Sequence, residues 1–131
     1  MIVEINTQDA EPIYEQLRDR IVLGIASGEL TPGEALPSVR RLASDLGINF
    51  HTVNKSYAAL SAEGYLVIDR RRGAVVARPP SGTSDARSTR RLLLAAAEAI
   101  CRGTDETAFL ALCSACYQKA SGRPSNQENG G

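Results

Sequence analysis

The sequence lacks most of what an enzyme or a membrane protein needs. Among its 131 residues there is no tryptophan, one histidine and 5% aromatic side chains. No apolar run reaches the roughly 18 residues of a membrane-spanning helix, and the first residues lack the basic, apolar and small-residue order of a signal peptide. We therefore expect a cytoplasmic protein without a membrane partner.

Catalytic motifs are also missing. The sequence has no G-x-S-x-G, no glycine loop suited to a phosphate and no paired carboxylates placed for acid–base chemistry. The chain has room for one ordinary domain and a small appendage, but none for a further cofactor-binding domain. We expect a protein that is not an enzyme and that carries no cofactor.

Cysteine is scarce, and its number is odd. Three cysteines in a chain without an export signal argue against a disulfide framework. Cys113 and Cys116 form a C-x-x-C pair, but no second pair completes a four-ligand set, and His51 has no ligand at metal-binding spacing. We expect no metal site and interpret the thiols as small apolar side chains. A thiol-based metal or redox sensor that binds DNA stays an alternative.

The formal net charge of zero hides a segregated pattern. Residues 1–37 hold two basic and seven acidic side chains, whereas residues 38–78 hold seven basic and three acidic ones, a net charge of +4. A phosphate backbone responds to charge within a Debye length of about 8–10 Å, so a local basic cluster can bind it. Zero net charge therefore does not exclude DNA.

Hydrophobic spacing predicts three helices followed by a hairpin. Residues 12–27 carry apolar side chains four apart and predict a first helix. A second helix is predicted over residues 38–46, with Ser38 as its N-cap, and a third runs from an Asn49 cap to Gly64. The second and third helices join at Gly47, which is typical of a helix-turn-helix. "YLVID", "RRRG" and "AVVA" then predict strand, turn and strand. The fold class is mainly α with a small β-hairpin, a winged helix-turn-helix domain over residues 1–78.

A second segment follows this domain. Residues 79–85 have linker composition, residues 86–120 predict two helices, the second started by Thr104, and residues 121–131 predict a disordered tail. Two such helices cannot enclose a core alone, so we expect them to form a dimer interface. The predicted interface residues are Leu93, Ala97, Ile100, Phe109, Leu112, Cys113 and Cys116.

The third helix predicts a face for DNA. At 100° per residue, the core stripe of Val53, Tyr57 and Leu60 leaves His51, Lys55 and two alanines on the opposite side. Small side chains let a helix lie close to a surface, and polar ones near its start can reach base edges or phosphates. Two arginines early in the second helix and three at the hairpin tip could clamp the backbone or enter a minor groove.

The stretch "PIYEQLRDRIVLGIASGELTPGEALPSVRRLASDLGINFHTVNKSYAALSAEGYLVID" resembles the DNA-binding domain of the GntR family of bacterial transcription regulators. The two short C-terminal helices are similar to the YtrA-like branch of that family. The resemblance implies that Arg40 grips the DNA, that the start of the third helix reads it and that Arg72 and Gly73 form the wing tip. With the helical-face prediction, the expected DNA-binding residues are Ser38, Arg40, Arg41, Asn49, Phe50, His51, Thr52, Asn54, Lys55, Arg70, Arg71, Arg72 and Gly73.

The combined prediction is a transcription regulator. We expect a homodimeric repressor that binds double-stranded DNA at an inverted-repeat operator, with room for a small-molecule effector that the sequence does not identify. Short members of the family are often encoded beside membrane-transporter genes, so the resemblance implies autoregulation of such an operon. A winged-helix protein-interaction module with a basic face for acidic partners is the alternative outside DNA binding.

Overall fold

Five α-helices and a two-stranded antiparallel hairpin make up the regular structure of the described residues, which in this computed structural model are Ile5, 12–79 and 85–123. The chain divides into two units, Met1–Ser81 and Gly82–Gly131. The first unit holds α1 (Ile13–Ser27), α2 (Val39–Leu46), α3 (Phe50–Glu63), β1 (Leu66–Asp69) and β2 (Gly73–Val76), and the second holds α4 (Ala86–Cys101) and α5 (Glu106–Ala120). The winged helix-turn-helix prediction is confirmed.

Local capping fixes where α2 and α3 begin. The Ser38 hydroxyl accepts a hydrogen bond from the Arg41 N–H at 3.1 Å, and the Asn49 side-chain oxygen accepts one from the His51 N–H at 2.7 Å. Both caps satisfy helix N–H groups that have no partner within the helix. Between the helices Gly47 has φ 68°, a left-handed conformation that glycine adopts without a steric penalty. Ser38 and Asn49 thus set where α2 and α3 begin, and Gly47 allows the turn between them.

The core of the first unit lies between α1, α3 and the elements around them. Leu17, Ile21, Val53 and Leu60 have no exposed surface, as their helical spacing predicts. Leu30 and Leu36, from the segment between α1 and α2, are also buried and join the same cluster. Sequence periodicity misses these two because they lie outside any helix or strand pattern.

A segment outside the hairpin pairs with it, which the sequence analysis does not predict. β1 pairs with β2 from Leu66↔Val76 to Asp69↔Gly73, and Ala35 forms a bridge to Val75 on the other edge of β2. Backbone N–H groups of Gly33 and Leu36 donate to the carbonyls of Val76 and Ala74, each at 2.8 Å. Pro32 and Pro37 make this segment look like a loop, but it covers the open edge of the hairpin formed by β1 and β2, which is the wing.

The second unit is the helix pair that the sequence predicts, with one correction. The N-cap of α5 is Asp105, whose carboxylate accepts the Ala108 N–H at 2.8 Å, and not Thr104. Aspartate is the stronger cap because its charge also favours the positive end of the helix dipole. Asp85 caps α4 in the same way. Most of the predicted linker and tail, residues 80–84 and 124–131, lies outside the described residues.

The predicted interface stripe is open within the single chain. Leu93 is 69% exposed, Ile100 72% and Leu112 58%, and Ala97 and Cys116 are also exposed, whereas Phe109 and Cys113 are half-buried. Ala99, one position away from the predicted stripe, is the buried residue of α4.

Across the described ranges, no helix combines the length and the apolar character that crossing a membrane requires.

Candidate DNA-binding interface

One face of α3 is buried and the opposite face is open. Val53, Tyr57 and Leu60 are buried, as predicted. The four side chains that the helical projection places outward, His51, Lys55, Ala58 and Ala62, are exposed, and Asn54 is exposed beside them. The run of small side chains after Lys55 lets this face approach a flat or concave surface closely.

A buried hydroxyl couples α3 to the start of α2. Tyr57 is 3% exposed, and its hydroxyl donates to the Pro37 carbonyl at 2.7 Å. Burial raises the pKa of Tyr57 to about 12, because the phenolate would lose its hydration. Since Pro37 precedes the Ser38 cap, this bond fixes the N-terminus of α2 against α3, which is the recognition helix of the helix-turn-helix.

The starts of α2 and α3 meet through side chains. The guanidinium carbon of Arg40 lies 5.1 Å from the centre of the Phe50 ring. The His51 ring meets the Phe50 ring edge-on, with centroids 5.6 Å apart and an interplanar angle of 83°. All three residues are exposed, so three predicted DNA-binding residues form one cluster on the surface of the first unit.

The other predicted residues near these helix starts have protein partners. Lys55 holds its ammonium 4.0 Å from the centre of the Tyr14 ring on α1. Arg41 pairs with Asp45 one turn later at 3.8 Å, and both side chains are largely exposed. Thr52 is half-buried and donates its N–H to the Asn49 carbonyl at 3.0 Å. Ion pairs as exposed as Arg41–Asp45 are weak, so Arg41 can exchange its partner for a phosphate.

The wing tip is a turn built on Asp69. Its carboxylate accepts the N–H groups of Arg71 at 2.7 Å and of Arg72 at 3.1 Å, and these bonds lower the pKa of Asp69. Arg70, Arg71 and Arg72 are all exposed, but the Arg72 guanidinium donates to the Gly33 carbonyl. Gly73 then starts β2 with φ 79°. The three arginines therefore differ in their contacts, because Arg72 stabilises the wing through its hydrogen bond to Gly33.

A groove separates α3 from the wing. Its volume is about 630 Å³, and its walls include Asn54, Ala58 and Ala62 from α3 and Ile68 from β1. Ser38 and Gly73, both predicted DNA-binding residues, also line it. Ile68 is 60% exposed on this strand, although the continuous apolar run of "YLVI" does not show which of its residues face solvent.

Arg18 supports the far end of the recognition helix and is missing from the sequence prediction. It donates through Nε to the Glu63 carboxylate at 3.2 Å and pairs with Asp19 at 2.8 Å, while its guanidinium lies 5.6 Å from the centre of the Tyr65 ring. Burial alone would lower the pKa of Arg18, but the two carboxylates raise it overall. A charged residue within an apolar stripe gives no sequence signal for this role.

The thiols do not come together with other metal ligands in the part of the chain that the structure describes. Cys101 and Cys116 are exposed and Cys113 is half-buried, so the apolar surroundings predicted for them are not supplied by one chain. Residues 12–79 and 85–123 contain no group of three His, Cys, Asp or Glu side chains that could hold a metal ion.

A helix-turn-helix with a basic start of α2, an open face on α3 and a basic hairpin tip defines a winged helix-turn-helix of the DNA-binding class. The profile of one family, described as bacterial regulatory proteins, gntR family, matches residues 10–76. The chain belongs to this family, which is a class of DNA-binding transcription regulators.

Two curated relatives match part of the chain. The chain is 32% identical over 76 residues to the HTH-type transcriptional regulator Rv1152 of Mycobacterium tuberculosis, covering 58% of this chain and 63% of that protein. It is 36% identical over 75 residues to the HTH-type transcriptional repressor YtrA of Bacillus subtilis, covering 57% and 58%. The match thus spans less than two thirds of these relatives.

Solved structures are also similar to this chain. A transcriptional antiterminator from Listeria monocytogenes matches 95% of this chain and 96% of its own with a TM-score of 0.84 at 25% identity. YtrA from Sulfolobus acidocaldarius, a GntR-family transcription factor, matches 76% and 99% with a TM-score of 0.61 at 41% identity. The DNA-binding domain of AraR in complex with operator ORX1 matches 59% and 99%, with a TM-score of 0.53 at 26% identity.

Proposed function

We propose that this chain is a homodimeric transcription repressor that binds an inverted-repeat operator in the cytoplasm and regulates its own operon, which also encodes a transporter. The observation that carries the proposal is the cluster at the starts of α2 and α3, where Arg40, Phe50 and His51 are exposed and in contact with one another. The similar AraR domain was solved with an operator, and two similar proteins are named YtrA.

The contacts divide by the kind of DNA group that each can reach. His51 lies at the start of α3, the recognition helix, and Arg40 lies at the start of α2 against the first residue of α3, so we expect both to meet base edges in the major groove. Arg70 and Arg71 at the wing tip suit phosphates or a minor groove, because their side chains are exposed and have no carboxylate partner among the described residues. Base contacts set sequence preference, and phosphate contacts set affinity and salt dependence.

The second unit supports the homodimer and an effector. Leu93, Ile100 and Leu112 are open to solvent in one chain, and apolar surface of this kind is covered when two copies meet about a two-fold axis. Two recognition helices then face a pseudo-palindromic site. The turn between α4 and α5 borders a cavity of about 360 Å³, within the size range of small-molecule sites, and it is where we propose that an effector binds.

The test is a titration of the full chain against a DNA fragment from upstream of its own gene, with Arg40→Ala as the variant. We expect Arg40→Ala to weaken specific binding by about 1–3 kcal/mol, because an exposed arginine early in α2 contacts DNA and not the core. Arg123→Ala removes the same charge from an exposed position outside the helices and is the matched control.

The fold of each variant is checked by its melting temperature. Equal affinity of Arg40→Ala and Arg123→Ala for the fragment would remove Arg40 from the interface. Wild-type binding that does not distinguish the fragment from unrelated DNA at physiological salt would contradict regulation through this operator.

A further inference from the structure

We propose that Phe50 is a positioning residue for Arg40, and that the two side chains act on DNA as one unit. This inference rests on the function proposed above and adds the role of a phenylalanine at the first position of the recognition helix. It differs from the expectation of the sequence analysis, where Phe50 stands among the residues that contact DNA directly.

The geometry joins two helices through one contact. Arg40 is the second residue of α2, and Phe50 is the first residue of α3. A distance of 5.1 Å between the guanidinium carbon and the ring centre lies within the roughly 6 Å over which a cation is attracted to an aromatic face. The Ser38 and Asn49 caps fix both helix starts, so the contact has a rigid frame.

Arg40 has no charged partner within the described residues. Arg41, next to it, pairs with Asp45, and Arg18 pairs with Asp19 and Glu63, whereas Arg40 lies against the Phe50 ring. The edge-on contact between the Phe50 and His51 rings supports the phenylalanine in turn. The ring is 38% exposed, too open for a purely structural core residue.

An arginine held by a cation–π contact keeps its donors. The attraction to the ring uses the positive charge and none of the five N–H groups as a hydrogen-bond donor to a protein acceptor, so these groups stay available for a base edge or a phosphate. A long side chain that is already oriented loses less conformational freedom on binding than one that moves freely. Phe50 thus strengthens DNA binding through Arg40 without making the contact itself.

A direct contact is the competing account, because a phenylalanine can pack against the methyl group of thymine. The two accounts differ in one measurable respect. A positioning residue loses its effect when Arg40 is absent, whereas a residue in direct contact keeps it. A double-mutant cycle therefore separates them.

The experiment measures affinity for an operator selected with the wild-type chain. The variants are Phe50→Leu, Phe50→Met, Phe50→Tyr, Arg40→Ala and the combinations of Arg40→Ala with each Phe50 variant. We expect Phe50→Leu and Phe50→Met to weaken binding about three- to tenfold when Arg40 is present, which is the scale of a cation–π contact. With Arg40→Ala the same changes should alter affinity less than about twofold.

Phe50→Tyr keeps the aromatic face and should bind within about twofold of wild type. Equal losses for Phe50→Leu with and without Arg40 would overturn the proposal in favour of direct contact, and no loss in either background would overturn it as well. Two variants without an aromatic ring guard against misfolding of one, and melting temperatures check all of them. Failure of the wild-type chain to select any operator would instead contradict the proposed function.

Discussion

At the level of single residues, α3 is held in place by polar side chains within an apolar frame. The buried Ser56 hydroxyl donates to the Tyr14 carbonyl at 2.7 Å, Tyr57 donates to Pro37 and Arg18 binds Glu63. Hydrophobic spacing identifies Val53 and Leu60 as core, because burial repeats every three or four residues. It says nothing of Ser56 or Arg18, since the partner of a polar group depends on tertiary contacts.

The Tyr57 hydroxyl gives a stability prediction. Tyr57→Phe should lower the free energy of unfolding by about 1 kcal/mol at neutral pH, because the Pro37 carbonyl loses its donor. The burial that raises the tyrosine pKa from 10.0 to about 12 favours the protonated side chain in the folded state. Its contribution is thus complete below pH 10.0 and is lost as the pH rises from 10.0 to about 12.

Denaturant titrations between neutral pH and about pH 11, within the window of the raised pKa, measure both effects. Tyr117→Phe is the matched control, because Tyr117 is 71% exposed on α5. We expect the alkaline loss of stability to be smaller in Tyr57→Phe than in wild type or the control. If Tyr57→Phe matches wild type in stability and in its alkaline profile, the hydroxyl does not couple the helices.

At the level of elements, the helix-turn-helix is predictable and the wing only in part. Ser38, Gly47 and Asn49 specify the ends of α2 and α3 locally, so sequence reasoning finds these helices nearly to the residue. The bridge from Ala35 to Val75 joins residues far apart in the sequence and carries no local signature. The same bridging segment supplies the Gly33 carbonyl that holds Arg72, so the inequality of the three wing arginines appears only in the structure.

The wing arginines should separate in a salt titration. Arg70→Ala combined with Arg71→Ala should lower affinity for all DNA sequences and reduce the log–log salt slope by about 0.9 for each phosphate that is no longer neutralised. Arg72→Ala should change the slope less and the melting temperature more, because it removes the bond to Gly33. Arg102→Ala combined with Arg123→Ala removes equal charge from the second unit. A slope unchanged by the Arg70 and Arg71 substitutions would mean that the wing does not touch DNA.

At the level of the whole molecule, the main feature is the exposed apolar surface of α4 and α5. Their apolar residues are predictable as a stripe from helical spacing, but exposure in one chain can be measured only in the structure. Leu92, Leu93 and Leu94 are all more than half exposed, and α5 has no buried residue. We propose that a second copy of the chain covers this exposed apolar surface.

Removing the second unit tests this assembly. A chain that ends at Ala77 keeps the core of the first unit, so it should fold as a monomeric winged helix. Without linked half-site contacts, its operator affinity should fall by about 10²–10⁴. Sedimentation and DNA titration of the shortened chain measure the two effects. A dimer, or undiminished operator affinity, would assign α4 and α5 a role other than assembly.

The central claim is that the chain, as a homodimer, recognises an operator through the cluster at the starts of α2 and α3. Selection from a random DNA library with the full chain is its most direct test. We predict enrichment of one inverted repeat, with half-site centres about 10 base pairs or a multiple apart. Arg40→Ala should lose base preference at symmetric positions of both half-sites. Enrichment of a single unrepeated motif would contradict the dimeric mode, and no enrichment above unselected DNA would contradict sequence-specific binding itself.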